Sequence, residues 1–107
     1  MTEYFLDAIR AVSNEDIDIN AYIVENDGSP ITDNCVLVLH NKDKDYIIGE
    51  YPGTYIEDYE MWGFTVPSAA TLGLKGRYWY SIRHKDTNMN FLQPIYLVWG
   101  DLIAYIN

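Results

Sequence analysis

Cysteine is nearly absent. Cys35 is the only one in 107 residues, which excludes an internal disulfide and leaves the fold to be held by its core. It lies in the apolar run CVLVLH, where a lone thiol behaves as a small hydrophobe. Histidine is scarce too: His40 and His84 are the only two. No Ser-His-Asp order surrounds a glycine elbow and no motif surrounds Cys35, so nucleophilic catalysis has no visible constellation. Basic residues are few, seven Lys and Arg against sixteen Asp and Glu, for a net charge of −9. Affinity for a phosphate backbone rests on cationic neutralisation, so nucleic acid is disfavoured as a partner, and an anionic membrane for the same reason. No apolar run approaches the roughly 20 residues that span a bilayer. The start MTEYFLDAIR has no basic region leading into an apolar one, so no secretory leader is expected and synthesis in a cytoplasm is.

What the chain does contain is apolar and aromatic. Hydrophobic residues make up 49% and aromatics 15%, ten of them tyrosine. That is enough for one domain with its own core. Turn signals recur about every ten residues, the spacing of an all-β sandwich or barrel. IDINAYIVE alternates, with Ile17, Ile19, Ala21 and Ile23 on one face, and predicts a half-buried strand. NDGSP ends it with Asp-Gly and Pro. CVLVLHN (35–41) and YIIGEY read as strands, separated by NKDKD. PGTYIEDYE (52–60) reads as a loop. MWGFTVP predicts a strand with Trp62, Phe64 and Val66 together, and SAATLGLKG a single helical turn crossing between sheets. RYWYSIRHK then places Tyr78, Tyr80 and Ile82 inward and Trp79, Ser81 and Arg83 on the other face. DTNMN is a turn, and FLQPIYLVWGDLIAYIN closes the chain as one or two strands. At the N-terminus, Phe5, Leu6, Ile9 and Val12 fit a helix or a first strand.

The ordered set of turns carries a resemblance. TVPSAATLGLKGRYWYSIRHKD resembles part of the N-terminal immunoglobulin-like module of baseplate upper proteins from tailed phages of Gram-positive bacteria. In that family a strand ends in an aromatic-x-Ile/Val-Pro step, followed by a short turn, a Gly, an aromatic-x-aromatic-x-Ile strand and a polar turn. Here the step is Phe64, Val66 and Pro67. The turn holds Thr71, Leu72 and Leu74 before Gly76, and the strand is Tyr78, Tyr80 and Ile82. INAYIVENDGSPIT is similar to the family's early strand and its Asp-Gly turn. Tyr96 to Trp99 with Gly100 is similar to its closing strand. The likeness spans residues 12 to 100 and departs where Asn14, Glu15 and Asp16 replace a Gly-Asp entry. It implies a single immunoglobulin-like β-sandwich of about seven antiparallel strands over residues 1–107, with 1–13 as a candidate N-terminal arm.

Other constellations are weaker. Asn41, Asp43 and Asp45 imitate half of a calcium loop, but Tyr46 stands where the glycine belongs and Pro52 where the closing glutamate belongs. Glu57, Asp58 and Glu60 are adjacent carboxylates in a predicted loop, a pattern that is ordinarily solvated. Gly73 and Gly76 precede a strand rather than follow one, so they form no phosphate loop. No catalytic residue, cofactor or metal is expected. Tyr46, Tyr51, Tyr55, Tyr59 and Trp62 are too many for one small interior, so part of the group is expected at the surface.

The resemblance implies a non-enzymatic structural component of a tailed-phage virion, at the tail, baseplate or capsid surface. It would be made in the host cytoplasm and present in several copies or as a homo-oligomer. Other virion proteins are the expected partners, and Trp79, Tyr55 and Tyr59 the expected contacts. Two alternatives stay open: a module that stacks host carbohydrate on exposed aromatics, and an acidic DNA mimic that inhibits a host protein.

Overall fold

In a computed structural model of the chain, residues 2–5, 9–13, 15–25, 27–44, 46–85, 87–88 and 93–99 are described. Ten strands account for most of them: β1 (Thr2–Phe5), β2 (Ile9–Ser13), β3 (Ile17–Glu25), β4 (Cys35–His40), β5 (Ile47–Pro52), β6 (Thr54–Ile56), β7 (Met61–Val66), β8 (Gly76–His84), β9 (Thr87–Asn88) and β10 (Gln93–Trp99). They form two sheets, one ordered β1-β3-β7-β6 and the other β2-β10-β8-β4-β5, with β9 paired to β8. A four-strand sheet facing a sheet built on β4, β8 and β10 is the immunoglobulin arrangement. The expected seven-strand frame is present as β1, β3, β7, β6 and β4, β8, β10. Three further strands extend it, and β2 pairs with β10 in parallel.

The core follows from period-two alternation. Ile17, Ile19, Ala21 and Ile23 of β3 and Trp62, Phe64 and Val66 of β7 point into one layer. They meet Cys35, Leu37 and Leu39 of β4, Tyr78, Tyr80 and Ile82 of β8, and Ile95 and Leu97 of β10, all buried. The registers Ile19↔Phe64 and Leu37↔Ile82 keep inward residues opposite one another within each sheet. Trp62 stacks on Phe64 with ring centroids 6.2 Å apart, and its indole N–H donates to the Ile31 carbonyl at 2.6 Å. Among the described residues, no buried side-chain nitrogen or oxygen lacks a hydrogen-bond partner, as a stable interior requires.

Two stretches differ from their sequence readings. Residues 52–60 are not all loop: Thr54–Ile56 pairs with β7 as an edge strand, and a 3₁₀ turn at Glu57–Tyr59 closes the hairpin. Propensity within so short a segment is weak. Tertiary packing decides it, because Tyr55 lies against Trp62 with ring centroids 5.7 Å apart. At the N-terminus the strand alternative is the one that forms, split between the two sheets as β1 and β2. Leu6 lies outside the described residues, as do part of the DTNMN turn and everything from Gly100 onward. The predicted crossing turn is present as a 3₁₀ turn at Ser68–Thr71. It is entered through a hydrogen bond from the Ser68 amide to the Asp16 carboxylate at 2.8 Å.

Gly53 is a point of close approach. A Cβ there would run into the Phe64 ring and come within 2.9 Å of the Trp62 ring. Core rings cannot yield without disturbing their own packing. Gly53→Ala should therefore lower unfolding free energy by about 1–3 kcal/mol, read as a reduced urea midpoint at constant slope. An unchanged midpoint would show that the rings are not held there.

Candidate docking surface

The side of β8 that faces away from the core carries Arg77, Trp79, Ser81 and Arg83, as the alternation predicts. Antiparallel pairing with β10 places Tyr96 beside Arg77, and the parallel pairing of β10 with β2 places Arg10 beside Tyr96. Arg10, Tyr96 and Arg77 thus form one row across three strands. Pro94 and His40 flank Trp79 in the next row along β8.

Trp79 is half-buried and fixed on three sides. Its indole N–H donates to the Lys42 carbonyl at 3.2 Å. The Lys44 ammonium lies 3.8 Å from the ring centroid and the Arg77 guanidinium 5.0 Å. Cations over an indole face are attracted by its quadrupole. The β4–β5 turn that supplies Lys42 and Lys44 is closed by the Asn41 amide donating to the Tyr46 carbonyl at 3.1 Å and by Lys44 in the left-handed region, φ 64°. The stretch that imitates a calcium loop is therefore a hairpin turn that holds Lys44 over the Trp79 ring and Lys42 over the Tyr78 ring, the latter 5.5 Å from its centroid. Asp45 lies outside the described residues. Among the described residues no group of three His, Cys, Asp or Glu could hold a metal.

Next to this row, at the Gly76 end of β8, lies a cleft of about 270 Å³ lined by Arg10, Lys75, Gly76, Arg77, Tyr96 and Leu97. A Cβ on Gly76 would meet the Lys42 ammonium at 3.1 Å, so Lys42 stands at the same end. Five of the seven basic residues of an acidic chain thus gather around Trp79 and this cleft. The other two are engaged elsewhere, Arg83 with Glu50 and Lys85 with Asp33.

The three expected contact residues do not come together. Trp79 belongs to the sheet that contains β8, whereas Tyr55 and Tyr59 belong to the β6–β7 hairpin of the other sheet. Tyr55 is half-buried against Trp62, and burial, then the nearby Glu60 and Glu57, raises its phenol pKa. Tyr59 is 68% exposed on the turn that also displays Glu57, Asp58 and Glu60. Of the other tyrosines in the middle third, Tyr46 is exposed and Tyr51 half-buried. The cationic row itself leaves no local signal in the sequence. Arg10, Arg77 and Lys44 are far apart in sequence, and only the pairing of β2, β10 and β8 brings the first two onto one face.

A wider groove of about 680 Å³ is lined by Asn34, Cys35, Val36, Pro52, Gly53, Trp62 and Lys85. Its polar groups are largely satisfied by one another. The Lys85 amide donates to the Asn34 carbonyl and the Gly53 amide to the Cys35 carbonyl, each at 3.0 Å. His84 Nε2 lies 3.1 Å from the Asp33 carboxylate, which holds that carboxyl below its ordinary range. The other histidine, His40, shares a 2.9 Å hydrogen bond with Ser81, and burial lowers its pKa. Burial, helped by the Asp33 charge, pushes the Cys35 thiol up to about 12, far from the thiolate a nucleophile needs.

No protein-family model matches the chain, and no curated protein matches it in sequence. Solved structures do match in shape. The filamin domain of Lin-41 superposes with a TM-score of 0.60 at 14% identity, over 92% of this chain and 93% of that one. Escherichia coli alpha-2-macroglobulin in its native conformation matches with a TM-score of 0.62 at 13% identity, over 90% of this chain. The match spans only 6% of the macroglobulin's length. At such identities the likeness shows the immunoglobulin-like fold alone.

A thiol with its pKa raised on folding contributes stability that is present below its ordinary value near 9 and lost as pH rises toward about 12. Native protein at pH 8 should accordingly leave Cys35 unmodified by iodoacetamide, with one adduct forming once urea unfolds the chain. Rapid alkylation of the folded protein would contradict the buried, neutral thiol.

Proposed function

We propose that the chain is a non-enzymatic immunoglobulin-like docking module, and that it joins a multi-protein particle through the outer face of the sheet containing β8. The observation that carries this reading is the fixation of Trp79. A large aromatic is held at the surface by a backbone hydrogen bond and two cations before any partner arrives. Interfaces concentrate binding energy in Trp, Tyr and Arg, and a side chain already ordered costs less to dock. The mutual pairing of His84 with Asp33, the His40–Ser81 bond and the neutral Cys35 support a structural use of the groups that catalysis would otherwise draw on.

The resemblance of residues 12 to 100 to the phage baseplate module supplies the finer reading, a structural component of a tailed-phage virion. The carbohydrate and DNA-mimic alternatives draw less support. Trp79 lies beneath cations instead of presenting a bare face to a sugar, and this face concentrates positive rather than negative charge.

The test is incorporation. In cells that express the chain with its neighbouring genes, purified particles should contain the wild-type protein by mass spectrometry. The double variant Arg77→Glu, Trp79→Ala should fold but remain in the soluble fraction, depleted from particles at least about tenfold, as loss of a hot spot of about 1.4 kcal/mol or more requires. Absence of the wild type from particles, or equal incorporation of both, would overturn the reading.

A further inference from the structure

The same chain carries a complement to its own cationic cleft. The hairpin between β6 and β7 ends in Glu57, Asp58, Tyr59 and Glu60, all four exposed. An exposed aromatic is thus surrounded by three carboxylates. The turn is built rather than loose. The Glu60 amide donates to the Glu57 carbonyl at 3.3 Å with Glu60 in the left-handed region, φ 52°. Ile56 pairs with Met61 at its base, and Tyr55 is packed on Trp62.

The cleft has the opposite chemistry. Its walls include Tyr96 and Leu97, and Arg10, Lys75 and Arg77 surround them. At about 270 Å³ it falls just short of the roughly 300–1,000 Å³ of small-molecule pockets and suits one large side chain. The two features also lie at opposite ends of the molecule. The acidic turn immediately precedes β7, whereas the chain leaves the far end of β7 at Val66 and crosses to Gly76 beside the cleft. One strand of six residues, about 20 Å, separates them, so a single copy cannot satisfy its own cleft.

We propose that the occupant of this cleft is a second copy of the chain. Tyr59 of one molecule inserts between Tyr96 and Arg77 of the next, and Glu57, Asp58 and Glu60 meet Arg10, Lys75 and Arg77. The inference rests on the reading of the chain as a docking module and names one of its partners. The contact joins two different surfaces, so it is head-to-tail and generates a ring or an open row of copies, not a symmetric dimer. It also gives an acidic protein, whose copies repel at long range, a local site at which they attract.

Sedimentation velocity of the full chain tests this. At about 50 mM salt the sedimentation coefficient should rise between about 10 and about 500 μM protein. It should fall back to the monomer value at about 500 mM salt, where exposed charges are screened. A variant without the knob (Glu57→Gln, Tyr59→Ala) and one without the hole (Arg10→Ala, Arg77→Ala) should each remain monomeric. Mixed one to one they should form a dimer and nothing larger, because only one intact contact is left. A monomeric wild type throughout, association unmoved by either variant, or a mixture that stays monomeric would overturn the proposal. A wild type that is monomeric yet enters particles overturns self-docking alone. One that associates through these residues yet stays out of particles supports self-docking and overturns the assembly reading.

Discussion

The burial of Tyr78, Tyr80 and Ile82 on one side of β8 is the constraint from which the rest of the surface follows. Side chains alternate across a strand, and a slip of one residue would exchange the two faces. Tyr80 and Ile82 are essentially inaccessible, and pairing with β4 and β10 locks the register on both sides. Trp79 is thereby forced outward between two buried tyrosines. The three consecutive aromatics after Gly76 therefore divide: two tyrosines are buried between the sheets, and the tryptophan stands on the outer face against Lys44 and Arg77.

The same constraint organises charge. Once Tyr78 is inward, Arg77 is outward, and pairing aligns it with Tyr96 and Arg10. The short β4–β5 turn then brings Lys44 over the indole and the Lys42 carbonyl to its N–H. A chain with net charge −9 so acquires a local positive surface without any basic run in its sequence. Net charge describes long-range solubility and steering. Local surface charge is decided by which side chains the strand registers place together.

Much of the sandwich is legible in the sequence. The alternation of Ile17, Ile19, Ala21 and Ile23, and of Trp62, Phe64 and Val66, is a strong local signal because every one of these residues is buried while the positions between them are exposed or half-buried. The β6 strand was not legible, since TYI is three residues long and owes its pairing to Tyr55 packing on Trp62. Parallel pairing of β2 with β10 was hidden for a similar reason, because it joins the beginning of the chain to the end. Of the candidate surface only Trp79 was legible, because alternation along β8 turns it away from the core. The cleft was not, because Arg10, Arg77 and Tyr96 become neighbours through non-local pairing alone.

The division of labour along β8 is tested most directly by comparing Tyr80→Ala with Trp79→Ala in equilibrium urea unfolding. Removing the inward ring should cost about 3–5 kcal/mol as a core cavity does. Removing the outward ring should cost about 1 kcal/mol, for the lost surface contacts. Equal losses, or a larger loss at Trp79, would contradict the assignment of one ring to the core and the other to the surface.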